Sequence, residues 1–239
     1  MKYDVIIVGA GPAGIFTAIE MIQKKSQKKI LIIEKGSPIE KRKCPKSVTK
    51  ECVSCKPSCH ITSGFSGAGA FSDGKLSLSY EVGGDLPRLI GATKAQETID
   101  YTDQIYLSYG ADPKVEGVSD TEKIKAIRKN AIAAGLKLVD CPIRHLGTEM
   151  AQEIYGKIEQ HLLASGVEIL FHHACEDLLI EDGVCRGWSA MLSIRNKRRE
   201  YLLIPSWLPP GEKARIGWKA SVKSTALPTS PVQWISVCA

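Results

Sequence analysis

The chain contains no tryptophan before residue 188 and no aspartate after residue 187. It also lacks any apolar run approaching the roughly 18 residues needed to span a bilayer, so no membrane association is expected. The opening MKYDVIIVGAGPAG is too short in its apolar part, and too rich in glycine, for a secretory signal. The expected compartment is therefore cytoplasmic. There, eight cysteines are reduced, metal-bound or catalytic; they do not form a disulfide framework. Most of the chain also lacks net charge. Of 32 basic and 26 acidic residues, eight and two follow Gly187, so the first 187 residues carry 24 of each sign. The formal +6 belongs entirely to the last 52 residues. A basic tail alone is weak support for nucleic-acid binding, and no nucleic-acid partner is expected. The length of 239 residues allows one or two domains with a substantial core.

Residues 3–8, YDVIIV, form an apolar β-branched run of the kind that makes a buried parallel strand. Gly9-Ala10-Gly11-Pro12-Ala13-Gly14 follows, then IFTAIEMIQKK with apolar residues at helical spacing. A second apolar run, KILIIEK, ends in Glu34, about 20 residues beyond the last glycine. Strand, glycine turn, helix, strand and acid occur in the order of a dinucleotide-binding unit. Gly9 permits the tight turn, Gly11 lets the backbone approach a pyrophosphate, and Gly14 lets the helix pack closely on the strand. The helix N-terminus stabilises phosphate charge, and Glu34 accepts hydrogen bonds from a ribose hydroxyl pair. An acid here favours FAD or NAD over NADP, whose 2′-phosphate it would repel. The fold class predicted is α/β, a Rossmann-like FAD-binding βαβ fold; the N-terminal GxGPAG resembles flavoproteins of the glutathione-reductase type.

The next segment holds Cys44, Cys52, Cys55 and Cys59, spaced C-x7-C-x2-C-x3-C, and then His60. Four thiolates so close in sequence can ligate zinc or an iron–sulfur cluster. Cys52 and Cys55 can form a redox dithiol, and a reduced, lysine-rich surface loop is a further reading. GFSGAGAFSDGKLS follows, with Gly64, Gly67, Gly69 and Gly74 among Ser66, Ser72, Asp73 and Lys75. Its glycines allow close backbone approach to a ring or a phosphate.

Together, RKCPK, CVSCKPSC and GFSGAGAFSDGKLS behind an N-terminal GxGPAG resemble a family of uncharacterised bacterial FAD-dependent dehydrogenases. The likeness continues through IRHLGTEM (143–150) and LLASGVEILFHHACEDLLIEDGVCRG (162–187). It implies a glutathione-reductase-type FAD domain over 1–187, incomplete, with a cysteine-rich loop at 36–62. It also implies hydride or electron transfer at the flavin with a small-molecule substrate or electron donor. The residues it carries over as cofactor contacts are Gly9, Gly11, Pro12, Ala13, Gly14, Glu34 and Lys35 at the first unit, and Gly67, Ala68, Gly69, Ser72, Asp73, Gly74 and Lys75 in the second loop. Arg42 is added as a basic residue just beyond the ribose acid, and Cys175 as the strand position that contacts adenine. The alternative is a non-catalytic flavin- or NAD-binding or electron-transfer module with a metal held by Cys44, Cys52, Cys55 and Cys59.

Further along, residues 120–142 read as a helix stopped by Gly135 and then a strand. Residues 147–166 read as a helix with Thr148 as N-cap and Gly166 beyond its C-terminus. The rest reads as strands joined by a turn at Asp182-Gly183. Arg144 and His145, at a strand-to-helix junction, are placed to stabilise an anion and move protons, or to be hydrogen-bonded loop residues. His172 and His173, adjacent in a strand, point to opposite faces and read as structural. Cys141 and Cys185 read as small core residues.

After Gly187 the resemblance stops, and all four tryptophans follow. Each amino acid largely fixes two bases of its codon. Reading from the third base of the Gly187 codon, the tail can encode a sequence that includes VVVATGRKGADWL, which resembles the next strand of the same family. Residues 188–239 are therefore expected to be an out-of-frame tail with no native domain. The chain is expected to be truncated, to leave residues 174–181 without a partner strand, and to fold poorly or bind FAD weakly.

Overall fold

The computed structural model describes the backbone of residues 2–181, 184–192, 197–203 and 237–238, and the side chains of residues 3–177. In chain order the elements are β1 (Lys2–Tyr3), β2 (Val5–Val8), α1 (Pro12–Gln23), β3 (Ile30–Ile33), α2 (Lys46–Thr49), β4 (Lys75–Ser77), α3 (Leu86–Ile90), α4 (Ala92–Ser108) and α5 (Thr121–Ala133). Then come β5 (Ile143–His145), α6 (Thr148–Ala164), β6 (Glu168–Leu170), β7 (His173–Glu181), β8 (Val184–Leu192), β9 (Lys197–Leu203) and β10 (Val237–Cys238). The chain divides into two compact units, residues 1–68 with 159–239, and residues 69–158.

The first unit is built on the sheet β10-β2-β3-β6, in which β2, β3 and β6 are parallel and β10 is antiparallel to β2. The sequence explains the parallel pair. VIIV and ILII are continuous apolar runs, and Ile6, Ile7, Leu31, Ile32 and Ile33 are at most 1% exposed. Strands covered on both faces need such runs, and each buried side chain stabilises by about 1.5–3 kcal/mol over exposure. Helix α1 buries Gly14, Ile15, Ala18 and Ile19, the stripe its sequence spacing predicts.

A second sheet in this unit has the order β1-β9-β8-β7. Strands β7 and β8 form the expected hairpin, with Glu181 opposite Val184; the Asp182-Gly183 turn lies outside the described residues. One expectation is corrected here. Residues 174–181 do have a partner, since β8 continues past Gly187 to Leu192, which pairs with His173, and β9 pairs with β8 in turn. Ladder bonds come from the main chain, so a sequence of adequate β propensity such as WSAML satisfies them whatever its origin. His172 is also not a strand residue. It sits in a left-handed turn at φ +62 just before β7, so the two histidines do not alternate across a strand.

The second unit pairs β4 with β5 antiparallel, Leu76 opposite Arg144, alongside α3, α4, α5 and most of α6. Helix α5 is capped by Asp120, whose carboxylate accepts the Lys123 N–H at 3.0 Å, and Gly135 beyond its end has φ +72. The strand predicted to follow directly comes later, at Ile143–His145. Gly147, not Thr148, precedes the first turn of α6: its carbonyl accepts the Ala151 N–H, and the Thr148 hydroxyl donates to the Ser72 carbonyl. Gly166 takes the left-handed conformation at the helix end, at φ +85. Among the described residues no helix is long and apolar enough to cross a membrane.

Candidate functional site

The turn from β2 into α1 opens with Gly9 at φ +96. Gly11 is the N-cap of α1, and Pro12 fills the first helical position. The first-turn N–H groups of Ala13 and Gly14 have no acceptor within the helix. A Cβ on Gly9 or Gly11 would meet no heavy atom within 4 Å, whereas one on Gly14 would lie 2.1 Å from the Gly9 carbonyl oxygen and 3.0 Å from Ile7 Cγ2. The first two glycines thus leave clear space above the helix end, and the third is needed for helix–strand contact. Pro12 and Ala13 are exposed on the same helix end.

Glu34 follows β3 and is only 6% exposed. Its Oε2 accepts the Ala10 N–H at 2.9 Å; its Oε1 accepts Gly36 N–H at 2.7 Å and Gly64 N–H at 2.9 Å. One carboxylate therefore ties the glycine turn, the chain after β3 and a remote loop together. A carboxylate offers about four acceptor positions, so Oε2 retains one for a further donor. Lys35, next to it, is exposed.

Sequence reasoning missed how this acid is held. Gly36 and Gly64 meet backbone to backbone: a Cβ on Gly36 would lie 2.3 Å from Gly64 N, and one on Gly64 would lie 2.5 Å from the Ser37 oxygen. Phe65, fully buried, follows, and its N–H donates to the Ser37 carbonyl at 3.0 Å. The available signal was the glycine two residues after the acid, in Glu34-Lys35-Gly36. Arg42 stands against the same loop. It is 2% exposed; Nε donates to the His60 carbonyl at 2.9 Å, and Nη1 donates to the Phe65 carbonyl at 2.5 Å and the Ser66 hydroxyl at 3.2 Å. Burial lowers its pKa, while the charges of Glu34 and Cys59 act against that shift. Arg42 thus fastens the loop that presents Gly64 to Glu34.

The glycine loop reaches the first turn through its start. Ser66 N–H donates to the Ala10 carbonyl at 2.7 Å, and a Cβ on Gly67 would lie 3.7 Å from Gly11 Cα. Ala68 is exposed. Gly69, Ser72, Asp73, Gly74 and Lys75 belong to the second unit. There a Cβ on Gly69 would lie 3.2 Å from the Tyr155 hydroxyl oxygen, and the Ser72 hydroxyl accepts the Gly74 N–H. Asp73 and Lys75 form an exposed ion pair at 2.7 Å, which lowers the Asp73 pKa and raises that of Lys75. Cys175 is half-buried in β7, opposite Ala190.

The four-cysteine metal reading finds no support among the described residues. Cys44, Cys52, Cys55 and Cys59 are all free thiols, and among the described residues no three His, Cys, Asp or Glu side chains converge to hold a metal. The short helix α2 separates Cys44 from the others, and Cys52 and Cys59 face solvent. The Ile61 N–H, followed by the Thr62 hydroxyl and N–H, lowers the Cys59 thiol pKa. Arg144 is likewise not an open anion site. Its guanidinium is clamped bidentate on Asp103, Nε to Oδ1 at 2.5 Å and Nη2 to Oδ2 at 2.7 Å, and Nη1 donates to the Asp112 carbonyl. Beside it, His145 is exposed in β5.

No family model matches the chain, and no curated protein matches it in sequence. Solved structures match in three dimensions. The 3-ketosteroid-Δ4-(5α)-dehydrogenase of Rhodococcus jostii RHA1, in complex with 4-androstene-3,17-dione, is 15% identical over 84% of this chain and 44% of its own, with a TM-score of 0.52. The L-amino acid deaminase of Proteus vulgaris is 15% identical over 84% of this chain and 46% of its own, at a TM-score of 0.43. The glycerol-3-phosphate dehydrogenase of Bacillus halodurans complexed with FAD is 10% identical over 84% and 33%, at 0.44. The fold is α/β and Rossmann-like, with β2 and β3 parallel and α1 between them. The chain spans less than half the length of each of these structures.

Proposed function

We propose that this chain is the FAD-binding part of an FAD-dependent oxidoreductase, related to the bacterial dehydrogenases its motifs resemble. The observation that carries the reading is the open Gly9–Gly11 turn at the N-terminus of α1, beside a buried Glu34 carboxylate with an acceptor position still free. Both features suit the dinucleotide. The clear space and the first-turn N–H groups of α1 would take the pyrophosphate, and Glu34 Oε2 would take a ribose hydroxyl. Gly67 and Ser66 would border the same turn. Bound flavin supplies hydride or electron transfer, with a small molecule as substrate or electron donor. The protein residues bind and orient it; Arg42 acts at a distance, by holding the loop that supplies the Gly64 N–H.

Titrating purified protein with FAD, with flavin fluorescence as the readout, tests this reading. A single saturable site, competed by ADP and weakened by Gly11→Ala, is expected. Absence of saturable binding, or binding unchanged by that substitution, would refute it. The reading also holds that residues 188–239 are translated out of frame, on the strength of the tryptophan and charge distribution after Gly187. It follows that this chain lacks the activity of the whole enzyme. Sequencing the coding DNA around Gly187 decides the point: a single inserted or deleted base that restores a long open frame supports it, and an intact frame overturns it.

A further inference from the structure

The second unit contains a cavity of about 310 Å³ that the dinucleotide site does not use. One wall is the β4 segment with Lys75, Leu76, Ser77 and Leu78; the other is one face of α4, carrying Thr98, Ile99, Thr102, Asp103 and Tyr106 at helical spacing, with Leu86 at the side. The floor is fixed by two buried pairs. Asp103 is gripped by Arg144, their side chains 10% and 4% exposed. The Tyr106 and Tyr155 hydroxyls lie 2.7 Å apart, with the rings edge to face.

The polar groups around this apolar pocket are unevenly matched. The Thr98 hydroxyl donates its proton to the Lys94 carbonyl and the Thr102 hydroxyl to the Thr98 carbonyl, each at 2.8 Å. Both oxygens can then only accept. Each Asp103 oxygen takes one Arg144 N–H and keeps a lone pair. The Ser77 hydroxyl is within hydrogen-bonding distance of Cys141 Sγ, at 3.6 Å. Among the described residues of the lining the cation is Lys75, which is paired with Asp73. An anionic ligand would bring acceptors to the Thr98, Thr102 and Asp103 acceptors on the α4 wall. A cationic ligand would meet a carboxylate whose charge Arg144 already balances. The lining therefore suits an uncharged molecule that covers Leu76, Leu78, Leu86 and Ile99 and donates a hydrogen bond.

The geometry points to a binding site in residues 69–158 for a small uncharged alcohol, its hydroxyl donating to the Thr98–Thr102–Asp103 acceptors and its body on the leucines. The site is argued from this unit alone, and its test needs no flavin. Full-length protein without FAD is titrated with benzyl alcohol, benzoate and benzylamine, which share one ring, and the backbone amide resonances of Leu76, Ile99 and Thr102 are followed by NMR. Benzyl alcohol should shift them saturably, and the two charged probes should bind at least about tenfold more weakly. Thr102→Val keeps the shape and removes an acceptor, so it should weaken benzyl alcohol about three- to tenfold. Ile99→Trp fills the cavity and should abolish the shifts. Equal binding of all three probes, no saturable binding of the alcohol, or an unchanged affinity in Thr102→Val would each overturn the assignment, even if Ile99→Trp fails to fold. Loss of FAD binding in a separate titration would count against the dinucleotide site and leave this result standing.

Discussion

Replacing Glu34 by glutamine tests whether this residue holds the fold together as well as binding a ligand. The carboxylate accepts three backbone N–H groups, from Ala10, Gly36 and Gly64, while only 6% exposed. In Glu34→Gln the amide oxygen can stay on Gly36 and Gly64, but its NH₂ must then face the Ala10 N–H. That leaves a buried donor unsatisfied, at a cost of about 1–3 kcal/mol, and turns two charge-assisted bonds into neutral ones worth about 1 kcal/mol less each. The total is about 3–5 kcal/mol, a fall of roughly 10 °C in the unfolding midpoint for a chain of this size. Glu159→Gln is the control. Among the described residues Glu159 accepts one N–H, that of Ile39 at 3.0 Å, and burial already raises its pKa. A glutamine oxygen can keep that bond, so the change should stay within about 1 kcal/mol. Urea unfolding of the wild type and both variants without FAD, followed by circular dichroism, gives the comparison. If Glu34→Gln is no less stable than Glu159→Gln, the three-way amide clamp is not what orders this region.

The other expectations separate packing from binding. Gly14→Ala places a Cβ 2.1 Å from the Gly9 oxygen and should destabilise by about 3 kcal/mol in the same urea assay. Gly11→Ala meets no atom within 4 Å and should leave stability within about 0.5 kcal/mol, while reducing FAD affinity in a fluorescence titration. Arg144→Met leaves Asp103 buried without its partner and should cost about 3–5 kcal/mol. Glu159 sets a pH effect. Its pKa is raised above 4.5, chiefly by burial, so the folded state holds its proton more tightly than the unfolded chain. Its contribution to stability therefore falls as pH rises from 4.5 through the folded pKa, and the loss persists at neutral pH. Glu159→Gln should flatten this part of the stability–pH curve, as read from urea midpoints across that range.

The sequence showed clearly those features that rest on local patterning. VIIV, ILII and the helix between them follow from apolar continuity and helical spacing, which act within a dozen residues. The glycine turn is legible because three glycines at fixed offsets serve one backbone path. What stayed hidden depends on contacts between distant segments. Nothing near Arg42 in sequence says that its guanidinium lies against the carbonyl of Phe65, 23 residues on. Nothing near Arg144 announces Asp103, 41 residues earlier. The same limit applies to the cysteines: spacing counts thiols along the chain, whereas metal binding needs them to converge in space. The strand opposite residues 174–181 was misjudged for the opposite reason. The side-chain pattern of the tail looked foreign, yet ladder formation depends on main-chain groups that every residue except proline carries in full.

Glu34 joins these two kinds of information. As a motif residue it is read from local sequence, as the acid at the end of the second strand. Its three donors come from residues 10, 36 and 64, so its carboxylate also fixes where the glycine turn and the Ser63–Gly67 loop stand relative to β3. A substitution at Glu34 that lowers FAD affinity therefore cannot separate a lost ribose contact from a displaced turn. Gly11 is free of that ambiguity. Its backbone is ordinary extended chain at φ −75 and ψ 176, and the space beyond it is empty. A methyl group there changes what can approach the helix end and little else. If the turn binds a pyrophosphate, Gly11→Ala must lose affinity while keeping its unfolding curve; if both stay unchanged, the pyrophosphate does not sit there, however well the motif matches.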